Sequence, residues 1–160
     1  LRYYGMDETY YAEEHGYNSR LDSIQAIVAN HLLKKIDHIT DSRINNAAEY
    51  DKHLSNIPQI TIPKRSTLVK QVYHIYVVRA KRRNELKKYL NHNGIDAKVH
   101  YPIPMHLQPA AKKFGYKKGD FPVSENFYDR AISIPLYPSL TDAEIEKVVK
   151  VISSFIKTKK

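Results

Sequence analysis

The chain has 160 residues, of which 42% are hydrophobic, so it is long enough to fold as one compact domain with a sizeable core. It contains no cysteine, which excludes disulfides, thiolate metal ligands and a cysteine nucleophile. No apolar run reaches the length of a membrane helix and no signal-peptide pattern is present, so we expect a soluble, cytoplasmic protein without a membrane partner. Because the chain begins at Leu1 and its first methionine is Met6, we expect it to belong to a longer protein.

The formal net charge of +9 would suit an anionic partner. Lysine and arginine occur as scattered pairs without a dense basic arm, a distribution typical of a solvated surface. A non-catalytic basic module that binds nucleic acid is one alternative, and it requires aromatic residues interleaved with the cations. The tyrosines of this chain lie away from most of the basic pairs, so we expect no nucleic acid partner.

The first 57 residues predict an extended lead-in followed by one long helix. Residues 1–20 show no clear period, whereas apolar residues after them recur at spacings of three and four. Ser19 and Asp22 resemble a capping box at the start of this pattern, and Pro58 ends it. The sequence therefore predicts a helix over 21–57, a length that favours a connection between domains or a subunit contact.

Residues 58–160 predict a small α/β (α+β) domain, in which one small sheet packs against helices. Dense β-branched and aromatic residues, amphipathic periods and a capping box at Thr141 and Glu144 carry this prediction. The predicted strands are 72–78, 95–100 and 132–134, and the predicted helices are 81–93, 107–114, 123–131 and 141–156. In this reading His74 lies in a buried strand as a core histidine.

The segment 100–109 (HYPIPMHLQP) carries the densest group of polar side chains between prolines. Prolines stiffen the path, so polar side chains on it are ordered around a ligand at little entropic cost. His100 and His106 with Asp120 could also form a metal site, but their spacing matches no metal motif and we predict none.

The segment 16–20 (GYNSR) precedes the predicted helix, where free N–H groups and the helix dipole attract an anion. Arg20 would add a charged fork for a phosphate. The alternative is a simple helix cap, in which Asn18 and Ser19 satisfy the first backbone N–H groups, and the residues alone leave both readings open.

Five motifs in order resemble the DegT/StrS family of sugar aminotransferases. They are 16–22 (GYNSRLD) followed by Gln25 and Ala26, 72–77 (VYHIYV), 100–109 (HYPIPMHLQP), 119–122 (GDFP) and 133–138 (SIPLYP) followed by Leu140 and Thr141. The resemblance runs from about residue 1 to residue 155, and it corresponds to the C-terminal part of that family's subunit. It implies the small C-terminal domain of a fold type I pyridoxal-phosphate transferase, preceded by an interdomain helix.

The resemblance implies a pyridoxal-phosphate-dependent sugar aminotransferase. Its reaction transfers an amino group, typically from glutamate, to a nucleotide-diphosphate keto-sugar for surface glycans such as lipopolysaccharide or for natural-product sugars. The family's Schiff-base lysine corresponds to a position upstream of this chain, so no residue here is nominated as catalytic and the chain alone is expected to be inactive. A sugar dehydratase of the same family, in which histidine replaces that lysine, is the alternative.

The resemblance also implies the site residues and the assembly. Asn18 corresponds to the asparagine that reaches the cofactor phosphate of the neighbouring subunit, with Arg20 as its helper, which implies a homodimer with shared active sites. His100, Tyr101 and His106 correspond to the loop at the substrate entrance and are our predicted substrate-binding residues.

Overall fold

The computed structural model describes residues 6, 11, 12 and 14–158 of the chain. The chain divides into two compact units, 1–38 and 39–160, and the division falls within the second helix. The elements are α1 (Ser23–Leu33), α2 (Ile36–Leu54), β1 (Ile60–Thr61), β2 (Tyr76–Ala80), α3 (Arg83–His92), α4 (Pro122–Arg130), β3 (Ala131–Ile134) and α5 (Asp142–Lys157). Of the predicted lead-in, residues 1–5, 7–10 and 13 lie outside the described residues.

The second unit is built on an antiparallel sheet with the strand order β1-β2-β3. In the register, Ile60 lies opposite Ala80 and Tyr76 opposite Ile134. Every residue of β3 is buried, since the strand is covered on both faces. The predicted small sheet packed with helices is confirmed.

One hydrophobic core joins the sheet to α2, α3 and α5. α2 contributes Ala47, Tyr50 and Leu54. α5 contributes Ile145, Val148, Ile152 and Phe155, with Val149 half-buried, so its amphipathic period is confirmed. The remaining core residues come mainly from the strands, α3 and the loops, among them Tyr76, Val78, Leu86, Leu90, Ile95, Ile132 and Leu136. Because α2 supplies core side chains, most of this helix belongs to the same compact unit as the sheet.

The prediction of one continuous helix over 21–57 is wrong. The structure has α1 and α2 with a turn at Lys34 and Lys35, where the Lys35 N–H bonds to the Leu32 carbonyl instead of continuing the four-residue ladder. The predicted capping box is also wrong: Asp22 is the N-cap and its side chain makes no capping hydrogen bond. The regular spacing of apolar residues continues through this tight turn, so the sequence pattern gives no sign of the break.

The second strand begins four residues later than predicted, at Tyr76. Tyr73 has a φ of 49°, which interrupts the extended backbone, and the carbonyls of Tyr73 and His74 accept hydrogen bonds from the Arg43 side chain. The predicted strand 95–100 reduces to one antiparallel bridge between Lys98 and Ser133. The backbone turns tightly just before this bridge, which prevents a longer ladder.

A partly buried polar cluster of Asp51, Arg65 and Tyr76 joins α2 to the sheet. The Arg65 guanidinium donates to both Asp51 carboxylate oxygens, at 2.8 and 3.0 Å, and the Tyr76 hydroxyl donates to Asp51 at 2.6 Å. Burial, then the hydrogen bond to Asp51, raises the pKa of Tyr76. Arg65 also lies over the rings of Tyr73 and Tyr76, so the cluster supports the start of β2.

Candidate functional site

The proline-rich segment 100–121 leads from the edge of the sheet to the start of α4. Its body is two 3₁₀ helices, Met105–Leu107 and Pro109–Phe114, where one short helix over 107–114 was predicted. Gly115 and Gly119 have φ values of 75° and 100°, a region that disfavours side chains. The turns of the segment therefore depend on glycine at these two positions.

His100 is attached to the sheet at the start of this segment. Its Nδ1 lies 2.9 Å from the hydroxyl oxygen of Ser133, a buried residue of β3. The peptide bond between His100 and Tyr101 is cis, and the Tyr101 ring is 65% exposed and meets the imidazole edge-on at 5.8 Å. Within the described part of the chain no hydrogen bond occupies His100 Nε2, so that atom is available to a ligand.

A cleft of about 470 Å³ opens beside His100. This volume falls in the range of ligand pockets, roughly 300–1,000 Å³. Its floor is apolar and its rim carries titratable side chains. The floor includes Ile95, Ile134, Leu136, Leu140 and Val148, and the rim includes His74, Asp96, Lys98, Tyr137, Glu144 and Lys147.

Both carboxylates of the rim already have donors from the chain itself. Asp96 pairs with Lys98 at 2.9 Å. Glu144 accepts from the backbone N–H and the hydroxyl of Thr141, each at 2.8 Å, and from the Tyr137 hydroxyl at 3.1 Å. The hydrogen bond from the Thr141 N–H is the main cause that lowers the pKa of Glu144. The predicted capping box of α5 is confirmed by these contacts.

The uncommitted polar groups of the cleft are therefore basic. Among the described residues, the side chains of His74 and Lys147 form no hydrogen bond or ion pair, although the Lys147 charge contributes to lowering the pKa of Glu144. With His100 Nε2 they line the cleft with nitrogen atoms that no other described residue occupies, which suits a ligand with an apolar part and a polar or anionic group.

Sequence reasoning missed the cleft residues His74 and Lys147. His74 was predicted as a core histidine, whereas it is exposed at the rim because the backbone turns at Tyr73. Lys147 looked like one of many scattered lysines. Its spacing of three from Glu144 on an amphipathic helix is a signal that could have placed both side chains on one face.

The wall of the cleft formed by residues 135–137 is held by polar side chains of α2. Tyr50 donates to the Pro135 carbonyl at 3.0 Å and Asn46 to the Tyr137 carbonyl at 2.9 Å. Arg43 donates to the carbonyl of the intervening Leu136 at 3.3 Å. Three consecutive carbonyls of an extended segment are thus satisfied by one helix, which rigidifies this wall.

His106 does not lie among the cleft residues. Its side chain is 8% exposed, and its Nε2 lies 3.0 Å from the Glu125 carboxylate. A substrate contact through this histidine stays a prediction, and the observed partner of Nε2 is Glu125. Among the described residues no group of three or more metal-ligating side chains comes together.

Asn18 and Arg20 lie in the first unit, on the extended stretch before α1, and both residues are exposed. Asp22 is the N-cap of α1, so an acidic residue adjoins the N–H groups that an anion bound to the helix dipole would use. A phosphate at this position would consequently depend on the amide and guanidinium donors of the two side chains. Their assignment to a cofactor stays a prediction. No helix within the described ranges has the length and apolar character to span a bilayer.

Comparison with known proteins finds similarity over nearly the whole chain. Residues 1–153 match the model of the DegT/DnrJ/EryC1/StrS aminotransferase family. The dTDP-3-amino-3,4,6-trideoxy-alpha-D-glucose transaminase of Streptomyces venezuelae is 37% identical over 149 residues, which cover 93% of this chain and 39% of the relative. The dTDP-3-amino-3,6-dideoxy-alpha-D-galactopyranose transaminase of Aneurinibacillus thermoaerophilus is 34% identical over 155 residues, with 97% and 42% coverage.

A solved structure extends the similarity to the fold. The crystal structure of S. venezuelae DesV in complex with a ketimine intermediate superposes with a TM-score of 0.91 at 35% identity, and the match covers 98% of this chain and 42% of DesV. The chain spans about two fifths of the length of the curated relatives it matches. The chain belongs to the DegT/DnrJ/EryC1/StrS aminotransferase family.

Proposed function

We propose that this chain is the C-terminal part of a pyridoxal-phosphate-dependent aminotransferase that transfers an amino group from glutamate to a nucleotide-linked keto-sugar. The observation that carries the proposal is the match of residues 1–153 to the family, together with 34–37% identity to two named dTDP-aminosugar transaminases. The resulting amino sugar would enter surface-glycan or natural-product sugar biosynthesis.

Asn18 and Arg20 are the residues of this chain proposed to hold the cofactor phosphate. An amide and a guanidinium both donate hydrogen bonds to phosphate oxygens, and both residues are exposed. This donor set fits a phosphate. When bound, pyridoxal phosphate supplies the electron sink for amino transfer, and the lysine that attaches it is proposed to lie in the part of the family that this chain does not match.

The cleft beside His100 and the exposed Tyr101 are proposed to bind the nucleotide-sugar. The apolar floor can take a flat or aliphatic part of the ligand, while His74, His100 and Lys147 can donate hydrogen bonds to diphosphate or sugar oxygens. The contact with Ser133 orients the imidazole so that Nε2 remains available to the ligand. We also propose a cytoplasmic homodimer in which Asn18 and Arg20 complete the partner's cofactor site.

The proposed reaction is tested by tracing the amino nitrogen from glutamate to the sugar. The protein that carries this chain would be expressed from its complete coding region, supplied with pyridoxal phosphate, and incubated with ¹⁵N-glutamate and dTDP- or UDP-linked keto-sugars. The proposal predicts that ¹⁵N appears in the sugar and that 2-oxoglutarate is released. Loss of a hydroxyl group from the sugar without ¹⁵N incorporation would overturn it and indicate a dehydratase.

A pair of histidine variants tests the assignment of the cleft. His100→Ala should raise KM for the nucleotide-sugar by about tenfold, the effect of losing one hydrogen bond to a charged group. The matched control is His92→Ala, which removes an exposed histidine at the end of α3. Equal KM values for the two variants would contradict a role for His100 in substrate binding.

A further inference from the structure

One oxygen of Glu125 collects three hydrogen bonds, two from the turn at residues 119–121 and one from His106. Oε1 accepts from the Gly119 N–H at 2.8 Å and from the Phe121 N–H at 3.4 Å. It also lies 3.0 Å from His106 Nε2, and because an ionised carboxylate only accepts, this nitrogen carries the proton. The hydrogen bond from Gly119 is the largest of several contacts that lower the pKa of Glu125, so the carboxylate is charged at neutral pH.

The Glu125–His106 contact is partly shielded from water. The two side chains are 13% and 8% exposed, and the His106 ring packs against Phe121 with centroids 4.8 Å apart. Phe121 in turn contacts the Tyr116 ring at 5.1 Å. In such surroundings a charge-assisted hydrogen bond is stronger than on an open surface.

The contact reaches from α4 into the middle of the proline-rich segment. His106 lies in the 3₁₀ helix Met105–Leu107, where the Leu107 and Gln108 N–H groups bond to the carbonyls of Pro104 and Met105. The Gln108 side chain closes the same turn by donating to the Ile103 carbonyl at 3.3 Å. The turn 103–108 is therefore a compact piece that His106 connects to Glu125.

Tyr101 lies between two anchored histidines. On its N-terminal side His100 is bound to Ser133 of β3, and on its C-terminal side His106 is bound to Glu125 of α4. The intervening residues 102–104 include two prolines, which limit the backbone further. The position of the exposed tyrosine is thus set by contacts at both ends.

We propose that Glu125 is a positioning residue that acts through His106 to hold the segment 101–108 in the shape required at the substrate entrance. The purpose assigned to the segment rests on the proposed function, whereas the positioning itself is a property of the chain and is measured without cofactor or substrate. The competing explanation is that Glu125 only secures the turn at residues 119–121 before α4.

Residue-resolved amide exchange of the 160-residue chain separates the two explanations. Glu125→Ala removes the acceptor, Glu125→Gln keeps a neutral one, and Asp129→Ala is the control because it removes an exposed carboxylate from the same helix. Both explanations predict faster exchange at Gly119. Only positioning through His106 predicts faster exchange at Leu107 and Gln108, by about tenfold in Glu125→Ala, with partial rescue in Glu125→Gln.

A second readout follows the imidazole directly. In the parent chain the ¹⁵N shifts of His106 should report a proton on Nε2, and Glu125→Ala should change them while Asp129→Ala should not. If Leu107, Gln108 and the His106 ring are unaffected while Gly119 exchanges faster, the positioning role is overturned and Glu125 only secures its local turn. If Glu125→Ala does not fold, the same comparison is made with Glu125→Gln, whose unchanged Leu107 and Gln108 exchange would likewise overturn the proposal.

A failure of this experiment is distinguishable from a failure of the proposed function. The exchange and ¹⁵N measurements report only the conformation of residues 101–121. Transfer of ¹⁵N from glutamate reports only the reaction. A chain with normal Glu125 coupling but no amino transfer would overturn the function alone, and the reverse result would overturn the positioning role alone.

Discussion

The Nδ1 atom of His100 lies 2.9 Å from the hydroxyl of Ser133, a residue that is only 6% exposed within β3. This hydrogen bond connects a side chain at the start of a loop to the most buried strand of the sheet. The backbone of Ser133 also pairs with Lys98, so the same residue holds the cleft wall and the imidazole. The orientation of His100 depends on this serine.

Ser133→Ala should therefore lower stability and loosen His100. The lost hydrogen bond is expected to reduce the free energy of unfolding by about 1 kcal/mol, the usual net contribution of one hydrogen bond, since its histidine partner is half-buried. Urea denaturation measures this change in the free energy of unfolding. In the complete protein, KM for the nucleotide-sugar should rise severalfold. Ser153→Ala in α5 is the control, and an equal effect of both variants would contradict the assignment.

Tyr76→Phe should destabilise the junction between α2 and the sheet. The phenol donates to the ionised Asp51 at 2.6 Å inside a partly buried cluster, so its loss is expected to cost about 1–2 kcal/mol of unfolding free energy. Tyr89→Phe provides the comparison, because Tyr89 packs on Phe155 and its hydroxyl has no hydrogen-bond partner among the described residues. If the two variants have the same midpoint of denaturation, the cluster contributes little.

The stability of the fold should decline in acid because Glu144 and Glu125 become protonated. Backbone N–H groups lower the pKa of each carboxyl in the folded state, so each contributes stability above its unfolded pKa of about 4.3. That contribution is lost as the pH falls through the folded pKa. Glu144→Gln should flatten the decline of thermal midpoint measured between about pH 5 and pH 3, whereas Glu146→Gln, an exposed neighbour, should leave it unchanged.

The isolated chain should self-associate through α1. This helix has no buried residue, and its apolar side chains include Ile24, Ile27 and Leu33 at 65–77% exposure. Ile27→Gln should weaken association by about tenfold or more, since the loss of isoleucine burial costs roughly 1.5–3 kcal/mol. Sedimentation velocity over a range of concentrations tests this, with Asn30→Gln as the control. A parent chain that stays monomeric at high concentration would contradict the prediction.

Local patterns predicted most of the elements in the second unit. The predicted capping box of Thr141 and Glu144 begins α5, and the helix predicted over 81–93 is observed as α3, with Leu86 and Leu90 buried four residues apart. These features depend on contacts within a few residues, where sequence spacing and spatial neighbourhood coincide. The break between α1 and α2 could not be predicted in this way, because one tightened turn leaves the spacing of the apolar residues unchanged.

The family, the small sheet packed with helices and the polar character of the segment around His100 were predictable from the order of residues, because ordered motifs and hydrophobic periods are properties of neighbouring residues. The pairing of side chains from distant parts of the chain was set by the fold. It turned His74 out of the predicted strand, paired His106 with Glu125 and placed Lys147 at the same cleft as His100. These two pairings bring together residues 19 and 47 positions apart, and they form only once the strands, the helices and the loop glycines have set the path of the backbone.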